Sequence, residues 1–475
     1  MSLKLEPYPK YKDSGLPWLG NVPEHWETLP NRALFKELNE RNYPGEPLLS
    51  VTIRRGVIRQ SDLLASTTKK DSSNENKANY KLVRPNDIAY NKMRAWQGAL
   101  GVAKHRGIVS PAYIVVRLRG SHNPEYFHYL MRTPAFAKEA GRWSYGITSD
   151  QWSLRPGDFK QIYCCIPAPK EQDAIVLFLK RVEQLISRLV STKRRLIELL
   201  NEQKQVIINR LVTRGLDPHV RLKPSGIDSI GYLPLHYEVL PLKRCIRNGT
   251  SISYGIVQPG PHLHDGIPFL QTSDITHGCV KPSSLQRTSP AIAASYPRSR
   301  LEAGDVVLGI RASIGASVVV GGDLAGANLS RGIARIVPSA RLRNDYLVAY
   351  LRSRPVKSYW ELARQGTTFH EVTIETVRAL PVVLPPIDEQ FRIVQNLQGM
   401  CRPLDEAIMH GESSIRFLRE YRTRLIADVV TGKLDVCNID LPAFEGAPEV
   451  GDLAFVDETE GNEIDDIEEI ADDDK

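Results

Sequence analysis

Two stretches of the chain carry apolar residues at alternating spacings of four and three. In the first, Ile175, Leu179, Val182, Ile186, Leu189, Leu196, Leu200 and Ile207 keep that rhythm, with Lys193 and Gln203 at the remaining seam positions. In the second, the seam runs Leu397, Cys401, Leu404, Ile408, Gly411, Ile415, Leu418, Arg422, Leu425 and Val429. This is the heptad pattern of a coiled coil. It predicts long helices over 171–213 and 389–431, each about 65 Å long at ~1.5 Å per residue. An antiparallel pairing would return the end of the second helix to the first body. Pro403 and Gly411 are where the second helix is expected to weaken or kink.

Before each helix the periods shorten. Strand-like runs such as Tyr113–Arg117 and Val306–Ile310 lie among turns, and helical stretches fall around Pro124–Arg132 and Asn344–Arg352. Each body closes on a strand and a proline turn, Ile162–Pro169 and Val382–Pro386, at the mouth of a long helix. Proline suits a helix start. The class is mixed α/β (α+β): two bodies and two long helices.

The two halves are copies. Lys12–Pro30 and Lys223–Pro241 match at nine of 19 positions with a constant offset of 211. Trp26 stands opposite Tyr237, and both are expected in the core. At an offset of 218, Pro167, Glu171, Gln172, Ile175 and Val176 match Pro385, Glu389, Gln390, Ile393 and Val394. Between these blocks only a thread persists. Asp87 and Asp305 each precede an apolar pair, and Met93-Arg94-Ala95 with Gly98-Ala99 echoes Ile310-Arg311-Ala312 with Gly315-Ala316. The frames are conserved between the copies and the bodies have diverged.

Charge sharpens this plan. The 475 residues carry a net +7, but residues from Glu445 onward hold 14 Asp/Glu and one Lys, a net of −13, which leaves +20 on residues 1–444. A strongly basic body fits a polyanion such as nucleic acid. The acidic, aromatic-poor tail reads as disordered. The 42% hydrophobic and 25% charged content is that of globular domains, and excludes collagen-like, largely disordered and disulfide-scaffold classes. The six cysteines form no CxxC or CxxH pair, so a structural zinc site is not expected, and adjacent Cys164 and Cys165 read as packing residues. With no signal sequence and no apolar run near ~20 residues, a reducing cytoplasmic setting and no membrane association are expected.

Catalytic signatures are missing. The chain has no GxxxxGK[ST] loop, GxSxG elbow, HExxH helix or Asn-Pro-Pro-aromatic tetrad. Asp158 and Lys160, in Pro156–Lys160, lack a partnered second acid and read as a turn. What remains is binding, by Lys and Arg interleaved with aromatics and amides. The candidates are Arg54, Arg55, Lys69, Lys70, Lys92, Arg94, Trp96 and Gln97 in the first body, and Arg298, Arg300, Arg311, Arg331 and Arg364 in the second. Such groups neutralise phosphates or read base edges. Arg94 and Arg311 stand out because each follows a strand and precedes a glycine turn. Pairing with an acidic neighbour is the competing role for both.

The entry motif Lys10–Gly15, Trp18-Leu19-Gly20 and Pro23–Glu27 resembles the start of type I restriction-modification specificity subunits. Gly366-Thr367-Thr368, Leu384–Ile387, Glu389-Gln390 and Ile393-Val394 are similar to that family's lead into its conserved helix, as are Gly146-Ile147-Thr148, Pro167 and Glu171-Gln172. The resemblance covers about 1–437. It implies two pseudo-symmetric target-recognition domains, 1–165 and 218–383, separated by an antiparallel two-helix coiled coil of segments 166–217 and 384–437, with an acidic tail at 438–475. It implies that each domain reads one half of a bipartite site on double-stranded DNA. The helices would set the spacer and dock two modification subunits and the restriction subunits. The chain itself would be non-catalytic and carry no cofactor; S-adenosylmethionine, ATP and magnesium are expected on the partners. A self-contained DNA-modifying enzyme and a coiled-coil scaffold without DNA specificity are the alternatives.

Overall fold

A computed structural model describes residues 5–65, 77–146, 152–276, 278, 280–363 and 371–439. The chain divides into two compact units, Met1–Arg194 with Glu412–Lys475, and Arg195–Gly411. Along the chain, the elements that matter in the first half are β1 (Glu27–Pro30), β2 (Phe35–Leu38), β3 (Ile88–Asn91), β4 (Leu100–Val102), β5 (Tyr113–Leu118), α1 (Pro124–Met131), β6 (Tyr163–Ile166) and the long helix α2 (Pro169–Arg214). Their counterparts are β7 (Glu238–Pro241), β8 (Ser253–Tyr254), β9 (Val306–Gly309), β10 (Ser317–Val319), β11 (Ile333–Ile336), α3 (Asn344–Leu351), β12 (Pro381–Leu384) and the long helix α4 (Ile387–Val430).

Each unit centres on a four-stranded antiparallel sheet of the same order, β2-β5-β3-β4 in the first and β8-β11-β9-β10 in the second. The inner strands β3 and β9 are apolar at consecutive positions, and Ile88, Ala89, Tyr90, Val306, Val307 and Leu308 are all buried. Continuous apolar runs of this length suit strands covered on both faces.

The surviving thread between the bodies has a physical basis. Asp87 accepts from the backbone N–H of Arg84 at 2.8 Å and from Arg117 at 2.6 and 3.0 Å. In the second unit, Asp305 accepts from the N–H of Glu302 at 2.8 Å and from Arg335 at 2.7 Å. Each buried carboxylate closes the turn before the inner strand and holds a neighbouring arginine. Beside it, the sign of a second pair is exchanged. Arg84 forks onto Glu40 at 2.7 and 2.6 Å, whereas Glu302, 218 positions after Arg84, accepts from Arg247 at 3.1 Å. The Arg84 hydrogen bonds hold the Glu40 carboxyl below its usual range.

The entry motifs build the junction between body and helix. β1 pairs with β6, and β7 pairs with β12, both antiparallel. Trp26 and Tyr237 are fully buried, as expected, with their polar tips on a helix carboxylate. Trp26 Nε1 donates to Glu171 at 2.9 Å and the Tyr237 hydroxyl to Glu389 at 2.7 Å. The Gln172 amide donates to the Pro167 carbonyl at 2.9 Å and accepts from the N–H of Asn123; Gln390 does the same with Pro385 and the N–H of Arg343. These contacts account for the Pro…Glu-Gln repeat.

Each body also receives the end of a long helix. In the first unit the Tyr126 hydroxyl donates to the Val430 carbonyl at 3.0 Å, and in the second Tyr346 donates to Val212 at 3.2 Å. Gly432 and Gly215 follow, at φ of 79° and 73°. A Cβ at Gly432 would lie 2.4 Å from Pro23, and one at Gly215 would lie 2.4 Å from the Tyr237 hydroxyl. Both the left-handed backbone and the close approach require glycine.

Both long helices form, over 46 and 44 residues. In the second unit Lys204 meets Asp405 at 2.5 Å and Ile197 lies against Gly411, which is an antiparallel register. In the first, Arg422 donates to Glu183 at 2.9 Å. The α4 seam is as expected: Leu397, Cys401, Gly411, Ile415, Leu425 and Val429 are buried, and Arg422 is satisfied by Glu183. The α2 seam differs. Leu189 and Leu196 are 50% and 51% exposed, and Val190 is buried instead. Val182, Ile186 and Val190 make two successive steps of four, so α2 drifts from a 3.5-residue heptad toward the ~3.6 of an undistorted helix. Helix α4 runs through Pro403 without interruption, and Gly411 contributes packing: a Cβ there would sit 3.0 Å from Ile197.

Candidate nucleic-acid interface

The turn that follows each inner strand carries the first group of candidate side chains. After β3, Asn91 accepts from the N–H of Met93 at 3.0 Å, a single 3-10 turn spans Ala95–Gln97, and Gly98 closes it at φ 93°. Lys92, Arg94, Trp96 and Gln97 all project from this turn and are half-buried. Trp96 donates to the Met93 carbonyl at 2.9 Å and packs edge-on against Trp152, with ring centroids 5.4 Å apart. Arg94 donates to the Gln97 side chain at 3.3 Å.

The second unit repeats the device with different residues. The turn after β9 closes at Gly315, φ 89°, and Arg311 donates from Nε to Glu371 at 2.7 Å. Arg311 is therefore held by an acidic neighbour, the competing role its sequence left open. Thr276 and Ser313 share a hydrogen bond of 2.9 Å, which ties the segment after the short helix Thr272–Ile275 to this turn. In each unit the chain that re-enters after a diverged segment docks on the same atom. The N–H of Leu154 donates to the Lys92 carbonyl at 2.8 Å, and the N–H of Val372 donates to Ile310 at 2.9 Å. Both pairs are related by the offset of 218 (310 − 92 and 372 − 154).

The remaining candidates are dispersed. Arg54 is exposed and Arg55 is buried, in the turn between strands Leu49–Thr52 and Gly56–Arg59. The Nε of Arg55 is buried and has no hydrogen-bond partner among the described residues. Arg298 and Arg300 are exposed, and the Arg298 carbonyl accepts from Ser253 of β8. They belong to the β8 edge of the sheet and do not join the turn that leads to β10. Arg331 is exposed, and its N–H donates to the Ile256 carbonyl. Lys69, Lys70 and Arg364 lie outside the described residues.

Sequence reasoning missed two arginines beneath these loops. Arg132 and Arg352 occupy the C-cap positions of α1 and α3. Arg132 donates to the carbonyls of Leu100, Ile53 and Arg54 at 3.0, 3.1 and 2.5 Å. Arg352 donates to the carbonyl of Ser317 at 2.8 Å. Their position one residue past a matched helix was the available signal. His128, one turn before Arg132, accepts from the N–H of Val102; desolvation, and then the charge of Arg132, keep its imidazole neutral. Asp158 and Lys160 lie at a short helix, Pro156–Phe159, and Lys160 pairs with Glu37 at 2.7 Å. Among the described residues no three His, Cys, Asp or Glu side chains gather to hold a metal ion, and no helix is long and apolar enough to cross a membrane.

One turn, built twice on a duplicated frame, carries Lys92, Arg94 and Trp96 in the first body and Arg311 in the second. Residues 261–410 match the family described as "Type I restriction modification DNA specificity domain". The chain is 26% identical over 282 residues to the type I restriction enzyme EcoBI specificity subunit of Escherichia coli, covering 57% of this chain and 58% of that protein. It is 23% identical over 439 residues to the putative type I restriction enzyme MjaX specificity subunit of Methanocaldococcus jannaschii, covering 88% of this chain and 96% of that one. A solved chain from work on complex assembly and conformational transition of the type I R-M system shares the fold. Its TM-score is 0.60 at 17% identity, over 87% of this chain and 99% of that one. Residues 261–410 thus match the DNA specificity domain of type I restriction-modification systems, and the chain as a whole is similar to specificity subunits of those systems.

Proposed function

We propose that the two bodies, residues 1–165 and 218–383, are target-recognition domains that each read one half of a bipartite site on double-stranded DNA. The observation that carries this reading is the repeated turn after β3 and β9: one backbone device, anchored on the same carbonyl, presents unlike side chains in the two copies. Two unlike half-sites call for two unlike readers on a pseudo-symmetric frame. Lys92, Arg94, Trp96 and Gln97 supply charge, an aromatic face and an amide in the first body, while Arg54 and Arg55 sit on a neighbouring turn. Arg298, Arg300 and Arg331 add charge in the second.

The long helices set the spacer and dock the modification and restriction subunits. Large apolar side chains left exposed on them, such as Leu189 in the first unit and Leu196, Leu199 and Met409 in the second, support that role. The S-adenosylmethionine, ATP and magnesium of the assembly belong to those partners. The test is to incubate the purified chain with DNA, magnesium and S-adenosylmethionine, alone and with a modification subunit. Sequence-selective binding, with methylation only when the partner is present, is the expected result. Turnover by the chain alone would make it an enzyme, and no DNA affinity even with the partner would make it a scaffold.

A further inference from the structure

The two C-cap arginines form a duplicated device that the sequence repeats do not display. Arg132 reaches from the end of α1 to two separate segments. One nitrogen donates to the Leu100 carbonyl, at the start of edge strand β4; the other donates to the Ile53 and Arg54 carbonyls, in the turn that carries Arg54 and Arg55. The approach is tight. A Cβ at Gly56 would lie 3.1 Å from Arg132 Nη1 and 3.2 Å from the His128 ring. The planar guanidinium places its donors on separate nitrogens and so reaches both segments at once, whereas an ammonium presents its three donors from one nitrogen.

In the second unit Arg352 reaches from the end of α3 to the Ser317 carbonyl, at the start of edge strand β10. The same nitrogen, Nη2, lies beside Gly278, where a Cβ would be 3.0 Å from it. Gly278 belongs to the segment that Thr276 ties to the turn after β9 through Ser313. The helix, the edge strand and the position of the arginine are the same in both units. The segment each arginine holds is not: Ile53–Arg54 lies between two short strands, whereas Gly278 follows a short helix. One retained residue type thus joins the frame to a diverged loop, by hydrogen bonds in the first unit and by close packing in the second.

We infer that Arg132 and Arg352 are positioning residues for DNA discrimination, each locking the variable loop of its own body to the sheet that carries the reading turn. The inference rests on the proposal that each body reads one half-site. A loop side chain discriminates bases only if its backbone is held to within about half an ångström. Neither arginine needs to touch DNA for this role.

The test uses the full chain with its modification partner and four variants, Arg132→Ala, Arg132→Lys, Arg352→Ala and Arg352→Lys. Competition binding is measured on three duplexes: the cognate site, and the site with either half scrambled. Arg132→Ala is expected to lower discrimination at one half-site at least tenfold while the other stays within twofold of wild type. Arg352→Ala should do the reverse. Arg132→Lys should behave as Arg132→Ala, because a single nitrogen cannot reach both segments, whereas Arg352→Lys should recover most of its discrimination. If an alanine variant does not fold, the lysine pair supplies the comparison. Variants that weaken binding equally on all three duplexes, or leave discrimination intact, would overturn the inference. A wild-type chain that ignores both scrambled halves would overturn the half-site reading as well, so the two failures are separable.

Discussion

Glu171 holds the first unit's junction, and its removal has a calculable cost. Its carboxylate accepts from the Tyr8 hydroxyl at 2.8 Å, from Trp26 Nε1 at 2.9 Å and from His25 Nε2 at 2.8 Å. Tyr8 and Trp26 are buried, and burial with the Glu171 contact drives the Tyr8 hydroxyl strongly toward its protonated form. Glu171→Ala strands two buried donors at ~1–3 kcal/mol each, while the half-exposed His25 adds little. The expected loss is about 3–4 kcal/mol. Glu389→Ala strands only one buried donor, the Tyr237 hydroxyl, and should cost about 2 kcal/mol. Glu171→Gln should recover most of its loss, since Tyr8 and Trp26 both donate to Oε1, which an amide carbonyl can replace, and only the exposed His25 faces the other oxygen. A chain with two units need not unfold in one step, so the assay is peptide-resolved hydrogen exchange. Protection should fall across β1 and β6 in Glu171→Ala and across β7 and β12 in Glu389→Ala. A loss below about 1 kcal/mol in Glu171→Ala, or equal losses in the two variants, would refute the donor-count reasoning.

Gly411→Leu forces a side chain into the place where Ile197 already stands, and overpacking of this kind costs ~1–3 kcal/mol, read by urea unfolding. His128 has a folded pKa below its unfolded value, so the unfolded chain binds the extra proton first. Stability should therefore be complete above about pH 6.5 and fall as pH drops below it, and His128→Asn should flatten that limb in acid-titrated unfolding curves. Truncation after Asn438 removes the net −13 carried from Glu445 onward. It should raise nonspecific DNA affinity several-fold at low salt, with the gain vanishing as salt rises, in anisotropy titrations.

The frame was legible in the sequence because its contacts are made by residues that both copies need. Trp26 and Tyr237 donate to Glu171 and Glu389, and Gln172 and Gln390 satisfy buried backbone groups, so few substitutions survive. The α4 seam was also legible. The α2 seam was not, because Leu189 and Leu196 fit a heptad as well as Val190 and Ile197 fit a 3.6-residue helix, and only the partner helix decides between them. Arg94 and Arg311 both lie on the turn after the inner strand, though the shared offset of 218 sets Arg311 opposite Met93, and the tie from Arg311 to Glu371 joins residues 60 apart across a diverged segment. Arg132 and Arg352 escaped for a related reason. Their hydrogen bonds go to backbone carbonyls, which leave no side-chain signature.

The central claim is that one chain reads two unlike half-sites. It is tested most directly by mapping methylated adenines in a genome that carries the complete system, then repeating the map after residues 218–383 are replaced by the corresponding body of another specificity subunit. The account predicts a bipartite motif with an unspecified spacer, of which only one half changes after the exchange. A single contiguous motif, or a motif whose two halves change together, would contradict it.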